Sequence, residues 1–599
     1  VTITRRLAIG KTLGAVAASA GANPQDSREA NAAGEGQQFF LRLLKANDET
    51  VGRMLRQPPA SGTAMRLGRG ADLAALVASY CSPESSYHRA ESLIPLMERA
   101  ARSFLNALNP EGLLDAGNLS SPPDTGFVVE AVSAAFDVSR RGQDPRLIPM
   151  QEIITKFLLR VGEALVTGGI HTPNHRWVVC AALARINALF PASRYVDRID
   201  DWLGEGIYQD ADGLFPERSP NYARVEVNAF ITLARLLNRP QLLDPARRYL
   251  NSNLHLIQPD GELETVNSRR QDQDRPVHVA NFYLQYRYLA IRDNNPTFAA
   301  VARLIAARPG EGLIEGANPV LHFLEEPLLR QPLPAGGTIP SDYAKVFANS
   351  QLVRIRRGDR AATIYGGDDQ PPFIASGLAH NPTFFNFRKG NAVLNSVRMG
   401  GSFFSLGVFR AEGVRVNGNQ AVLHQRLEAP YYQPLPKQYR KASGDYPLTP
   451  VKDERFWSKL DFPHRQVSNV QVLDQKVTVV EKEGQFELHF EITGHDRVPY
   501  TVELAFRPGG QFTGAIRETT LSSRSGGGET KAFFLKDGMG TYRVGDDAIE
   551  FGPGQSDHAV ISLSGHTYQA HGAALRAAGN CVYITGYTPF RKVITIRGV

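Results

Sequence analysis

The run His171-Thr172-Pro173-Asn174-His175-Arg176 places an amide, an imidazole and a guanidinium in what the apolar spacing downstream marks as the first turn of a helix opened by Thr172-Pro173. A helix N-terminus is electropositive and leaves backbone N–H groups unpaired, so it favours an anion. An amide and a histidine there could hold a carboxylate. The structural alternative is an Asn or Thr cap with a histidine packed beneath it. A second Pro-containing loop, Phe215-Pro216-Glu217-Arg218-Ser219-Pro220, opens another helix with Asn221 and Tyr222 at its entrance. Tyr222 follows His175 by 47 residues, about two helices, so a repeated helical hairpin would bring both to the same end of a domain. Alone, a tyrosine at a helix start is packing; beside the first cluster it reads as part of a site. Asn118, Ser121 and Asp124 form one more polar cluster, and Asn267, Arg269, Arg270 and Asp272 another. Each is either a ligand contact or a salt-bridged loop.

These residues need elements to position them. From about 37 to 330 apolar residues recur at helical spacing, as in SLIPLMERAARSFLNAL and WVVCAALARINALF, with loops rich in Pro, Gly and Asp between. No strict sequence repeat is present, and polar clusters after alternate helices suit a toroid whose loops line one shared cleft better than an open solenoid. After about 340 the pattern changes to short alternating runs such as VTVVEKEGQFELHFEITG and YTVELAFRPG, which predict strands of a multi-sheet antiparallel sandwich. The expected architecture is multidomain α+β: an N-terminal (α/α) toroid over 36–332, a linker near 333–342, and a C-terminal antiparallel β-sandwich over 340–599. Residues 1–35 read as an export signal and mobile linker. Arg5-Arg6 precedes an apolar stretch with small-residue sites such as Ala18-Ser19-Ala20, which suggests the twin-arginine route to the periplasm or exterior.

At 599 residues the chain is long enough for two or more cores, and no run approaches the roughly 20 apolar residues of a membrane span. Cys81, Cys180 and Cys581 are far apart and lack metal or redox spacing, so they read as buried small hydrophobes. The net charge of +7 is carried mainly by arginine; between the leader and 340 the lysines are Lys45 and Lys156. Arginine's planar fork grips a carboxylate or sulfate with two hydrogen bonds, which suits a polyanionic ligand. The arginines are dispersed and no nucleic-acid-binding motif is present, which argues against a nucleic-acid partner.

Asn174-His175 at a helix start, Tyr222 at the start of a helix roughly fifty residues later, and a histidine just inside the β-region, for which His380 in GLAHNPTFFNF is the candidate, together resemble the heparinase II/III-like polysaccharide lyases and related toroid-plus-sandwich alginate lyases. The resemblance spans most of the chain. It implies β-elimination on a uronic-acid-containing polysaccharide, with the asparagine or histidine neutralising the uronate carboxylate and the tyrosine acting as general acid or base. By that resemblance the catalytic residues are Asn174, His175, Tyr222 and His380. Arg176, Arg224, Asn118, Asp124, Arg269 and Arg270 are candidate substrate contacts. Tyr431 and Tyr432, in LHQRLEAPYYQPLP with His424, read as a long loop on which a sugar ring could stack. The reaction needs no cofactor. The family can carry a structural metal in the sandwich, but no close His/Asp set marks its ligands here.

The chemistry explains the residue types. The C5 proton of a uronic acid is weakly acidic beside a carboxylate, so that charge must be neutralised before a carbanion-like state is accessible. A base then removes the proton and an acid protonates the departing O4; one tyrosine does both for one stereochemistry, and His and Tyr divide the work for the other. A phenol, with its ordinary pKa of about 10, needs a cationic neighbour, and Arg176 and Arg224 are nearest in sequence. Two rivals stay open: a glycoside hydrolase using two of Asp124, Glu130, Glu217 and Glu226, and a non-catalytic carbohydrate-binding protein.

Overall fold

The structure, a computed structural model, describes residues 24–57, 70–270, 272, 276–308, 319–367, 381–404, 406, 409–452, 456–521, 530–561, 563, 569–570, 573–574 and 580–599. The proposed export signal falls outside them. The helices are α1 (Pro24–Arg56), α2 (Ala71–Cys81), α3 (Ile94–Ala107), α4 (Pro122–Arg141), α5 (Ile148–Thr167), α6 (Pro173–Leu189), α7 (Ser193–Gly204), α8 (Pro220–Leu236), α9 (Asp244–Asn253), α10 (Tyr283–Arg292), α11 (Pro296–Ala306) and α12 (Pro319–Glu325). Helix α1 begins at Pro24, in place of the mobile linker expected over 23–35.

Neighbouring helices differ in how much of their surface they bury, for a reason visible in their residues. Helix α6 buries side chains on all faces from Asn174 to Ile186, whereas α7 fully buries only Tyr195 and Ile199 and half-buries Trp202 and Leu203. A helix apolar all round must be enclosed. Helices α2, α4, α6, α8 and α10 pack in succession, α12 returns to touch α2 and α4, and α1 lies against α2 and α12. Gly126 of α4 permits the close approach of α6: a Cβ there would stand 3.0 Å from Val178.

Three of these inner helices begin alike. Ser121, Thr172 and Ser219 each precede a proline at the first helical position. Proline lacks the N–H that would be unpaired there, and its fixed φ starts the helix. The Ser121 and Ser219 hydroxyls cap by accepting from the backbone N–H of Asp124 and Tyr222. The polar side chains of these first turns therefore gather at one end of the helical region.

Among the described residues between Asp342 and Gly598, fifteen strands form one continuous sheet. The strands expected after 340 are present; among the described strands one neighbouring pair in this sheet, Thr530–Val544 with Asn580–Tyr587, is parallel. The sheet curls over itself. Strand Phe385–Lys389 lies far from strand Gln485–Gly494 in the hydrogen-bonded order, yet Phe385 and Phe387 meet Phe486 with ring centroids 5.4 and 5.7 Å apart. Gln485–Gly494 buries every second residue, the period of a strand with one face on a core.

The helical region is not purely α. Glu262–Leu263 and Val277–His278 pair as a short antiparallel ribbon, and this ribbon docks on the sheet through buried charge. Glu264 meets Arg354, which is fully buried, at 3.3 Å, and also accepts from Asn386 at 2.9 Å and from Thr363. Arg388 and Arg507 both pair with Glu262. The segment after Glu264 runs directly into the Asn267–Arg270 loop. Among the described residues no helix is long and apolar enough to cross a membrane. Cys180 is buried as expected, but Cys81 and Cys581 are partly exposed.

Candidate active site

The first turns of α6 and α8 and the 267–272 loop converge on one carboxylate. The Glu217 side chain accepts from Asn174 Nδ2 at 2.7 Å and from Arg270 Nη1 at 2.7 Å. Arg270 Nη2 reaches on to the Tyr222 hydroxyl at 3.0 Å, and its guanidinium carbon lies 4.2 Å from the centroid of the Tyr222 ring. The guanidinium thus both donates to the phenol oxygen and covers the ring. Burial pushes the Glu217 carboxyl above the usual range, with Asn174 and Arg270 opposing it.

The loop is anchored from behind by Asp272. Its carboxylate accepts from Ser219 Oγ at 2.6 Å, from Asn221 N at 3.3 Å and from Ser268 Oγ. Ser268 Oγ in turn accepts from Arg270 N at 3.2 Å. Arg269 donates to the Pro216 carbonyl at 3.0 Å, and its N–H to the Glu217 carbonyl. Arg269 thus fastens the two loops while Arg270 faces the tyrosine.

Asn174 is fully buried, and its amide hydrogens go to Glu217 and, at 3.2 Å, to Thr172 Oγ1. It acts on Glu217 and has no exposed donor for a ligand. His175 is buried with its ring 4.6 Å from that of exposed His171, edge to face. His171, absent from the sequence-based candidates, is the accessible imidazole of the pair; its place just before the Thr-Pro opening was the available signal.

The arginines nearest in sequence do not serve Tyr222. Arg176 donates to Glu205 at 2.9 Å and stacks on Trp177, and Arg224 lines the cavity inside the helices. Successive helix residues turn by about 100°, so neighbours in sequence face different ways. Asp124 accepts from Asn118 Nδ2 at 2.7 Å and Ser121 Oγ at 2.8 Å, which makes that cluster the cap of α4. Tyr431 and Tyr432 lie on strand Gln420–Tyr432 and not on a loop. Tyr431 is exposed beside Phe404, while Tyr432 packs on Phe462 and accepts from Lys452 N. His424, on the same strand, pairs with Asp474. His380 falls outside the described residues. Among the described residues no three His, Cys, Asp or Glu side chains gather as a metal site.

Glu226, one turn below Tyr222, is fully buried, and neither carboxyl oxygen has a hydrogen-bond partner. Burial, and then the nearby Glu217, push its carboxyl well above the usual range, with Arg176 opposing. An acid whose folded-state pKa is raised lends stability below its unfolded value of 4.5 that is lost as pH climbs towards the folded value. Glu226→Gln is therefore expected to melt like the natural protein below pH 4.5 and to gain on it as pH rises, by up to about 1.4 kcal/mol per pH unit. Melting curves across pH that stay parallel for the two proteins would refute the buried neutral acid.

No protein-family model matches the chain, and no curated protein sequence matches it. Among solved structures it is similar to the chondroitin AC lyase of Streptomyces coelicolor A3 in complex with chondroitin sulphate, at 13% identity and a TM-score of 0.48, covering 97% of this chain and 80% of that one. It is also similar to a Paenibacillus xanthan lyase, at 11% identity and a TM-score of 0.49, covering 97% of this chain and 58% of that one. A heparan sulfate lyase mutant from Pedobacter heparinus gives 11% identity and a TM-score of 0.45, covering 91% of this chain and 78% of that one.

Proposed function

We propose that this chain is a polysaccharide lyase that cleaves a uronic-acid-containing polysaccharide by β-elimination, its helical half an (α/α) toroid and its sheet a β-sandwich. The observation that carries the reading is the Glu217–Arg270–Tyr222 chain, in which a buried carboxylate aims a guanidinium at a phenol oxygen. Tyr222, as phenolate, takes the C5 proton of the uronate; the C4–O bond breaks, a C4=C5 double bond forms, and the same phenol returns the proton to the departing oxygen. No electrons are exchanged with a cofactor. Arg270 supplies positive charge, and the His171–His175 pair ring hydrogen-bonding groups, for the uronate carboxylate. Asn174 is a positioning residue that holds Glu217, and through it Arg270. The segment before α1 serves export in this reading.

The test is ultraviolet absorbance of the unsaturated uronate while the protein is incubated with a panel of uronate polymers. A rise with any polymer establishes elimination and names the substrate class. New reducing ends without that absorbance move the reading to a hydrolase, and silence with every polymer in both assays counts against an enzyme of this class.

A further inference from the structure

Strands Gln420–Tyr432 and Val467–Lys482 pair as neighbours, and the chain between them, 433–466, leaves the sheet in a long excursion. Connections of that length inside a folded domain are commonly functional. Its surface differs from the rest of the molecule. Among the described residues the exposed aromatic side chains are Tyr208, Tyr431, Tyr439, Phe456 and Trp457, so four of the five lie on this excursion or at its root. Leu448 and Leu460, on the same excursion, are exposed as well. Single apolar residues on a surface are ordinary, but this many in one stretch mark a surface that is covered by something.

The rings are held in place. Trp457 pairs with Pro450 in a short ribbon, Phe456 lies against Phe462 with centroids 5.9 Å apart, and Tyr439 stacks on His464 at 4.1 Å, His464 being fixed by Asp461 at 2.7 Å. Rings held this way offer flat contact area at little further cost in entropy. Cations accompany them. Residues 433–466 carry seven Lys and Arg against four Asp and Glu. Lys452 pairs with Glu428 and Lys459 with Asp445, whereas among the described residues Lys437, Arg440 and Arg465 have no ion pair. The two arginines are braced by carbonyls instead. Arg440 Nε donates to Leu435 O at 2.8 Å; Arg465 donates Nη1 to Gln433 O at 3.2 Å and Nε to Leu460 O at 2.6 Å. A carbonyl fixes a guanidinium without cancelling its charge, and five N–H groups leave some for another acceptor. Pro434 and Pro436 keep the residues before them extended, so the Gln433 and Leu435 carbonyls stand roughly 6–7 Å apart. Two uncancelled arginines are thus braced from one short stretch, each next in sequence to a member of the Tyr439–His464 stack.

We infer that this excursion is an anchoring surface for an acidic polysaccharide, which it grips away from the bond being cut; the choice of polymer rests on the lyase reading above. Guanidinium forks take carboxylate or sulfate groups, and the rings take the apolar C–H faces of the sugars between them. Charge argues against a second copy of this chain, because a two-fold pairing sets the same cations against their own copies. Position sets the surface apart from the docked ribbon. Glu481, near the other end of strand Val467–Lys482, meets Arg357 of the strand that also carries Arg354, so the excursion leaves the sheet roughly 45 Å along the strand from that contact.

The experiment is native electrophoresis of the full chain through gels containing alginate or chondroitin sulfate, with the Tyr222→Phe protein so that the polymer stays intact. Retardation by an acidic polymer and none by neutral dextran is expected. Arg440→Gln combined with Arg465→Gln, and separately Trp457→Thr, should each weaken the retardation roughly fivefold, the scale of one or two exposed contacts. With Tyr222 restored, the same changes should raise KM for a cleaved polymer by that factor, leaving kcat, and kcat/KM for a tetrasaccharide of that polymer, within about twofold. Unchanged melting temperatures show that the variants fold. Equal losses on polymer and tetrasaccharide would put the excursion in the reaction cleft and overturn the anchor, as would undiminished retardation in both variants or no retardation by either polymer. A dimer in sedimentation that Trp457→Thr dissociates, or binding to phosphatidylglycerol vesicles without retardation by either polymer, would give the surface to another partner and overturn it too. Where no polymer is cleaved, the elimination reading fails separately, and the gels alone decide the surface.

Discussion

Tyr222→Phe is expected to lower elimination by about 10²- to 10⁴-fold, the range for losing a group that transfers protons in the transition state. The fold should hardly notice. The hydroxyl's contact is with Arg270 Nη2, and phenylalanine keeps the ring that the guanidinium covers. Losing one partly buried hydrogen bond costs about 0.5–1.5 kcal/mol, so the variant should melt within a few degrees of the natural protein and still bind oligosaccharide. Arg270→Lys should also fall in rate, because a point charge cannot span Glu217 and Tyr222 as the fork does. Initial rates from the unsaturated-product absorbance, with melting and binding measured on the same preparations, check both. A Tyr222→Phe enzyme with ordinary turnover would remove the tyrosine from the mechanism.

Local signals were legible in the chain, and non-local ones were not. Apolar spacing at the helical period and then in alternation is a property of each segment, so helices before 330 and strands after 340 could be read directly. The Thr172-Pro173 and Ser219-Pro220 openings likewise placed Asn174, His175 and Tyr222 at one end. Arg270 stood among the candidates, but its pairing with Tyr222 did not, because it arrives 48 residues along the chain on a loop whose path is set by docking on the sheet. Glu217 appeared as a carboxylate for a rival mechanism; its role as the acceptor that aims Arg270 needs three segments at once. The alternating runs could not tell one continuous sheet from several, since alternation reports a buried face and not the neighbour on either side. The run LHQRLEAPYYQPLP read as a loop, yet Pro430 lies within a strand although proline is excluded from central ladders. The structure resolves this with an irregularity in pairing: Ala429 faces Gln471 and Tyr431 faces Ser468, so Pro430 stands where the register shifts.

The docking of the Glu262–Leu263 ribbon on the sheet leads to the other large effect. Arg354→Met is expected to destabilise the protein by about 3–5 kcal/mol, the cost of removing one partner from a buried ion pair and stranding the other charge. The stranded group is Glu264, which is 5% exposed. Burial works against its charge, yet Arg354, Thr363 and Asn386 overcome it and hold the carboxyl below the usual range. Its neighbour Glu262 is desolvated as well, but Arg507 and Arg388 bring it down to about 2. Acids with depressed folded-state values lend stability above their unfolded value of 4.5 and lose it as pH falls towards about 2, so this docking should be the acid-labile part of the molecule. Glu264→Met combined with Arg354→Met should recover much of the loss, because two apolar groups leave no stranded charge. Activity separates this latch from mere bulk stability. Glu264 also accepts the backbone N–H groups of Thr265 and Val266, so it sets the path of the chain into Asn267–Arg270. At a temperature where both proteins are fully folded, the double variant should therefore remain slow, since a shift of about 1 Å in Arg270 can cost up to about 10²-fold in rate. Recovery of stability without recovery of kcat would show that the β-half positions the Tyr222 site through this ribbon, whereas full recovery of both would reduce the contact to an adhesive between domains.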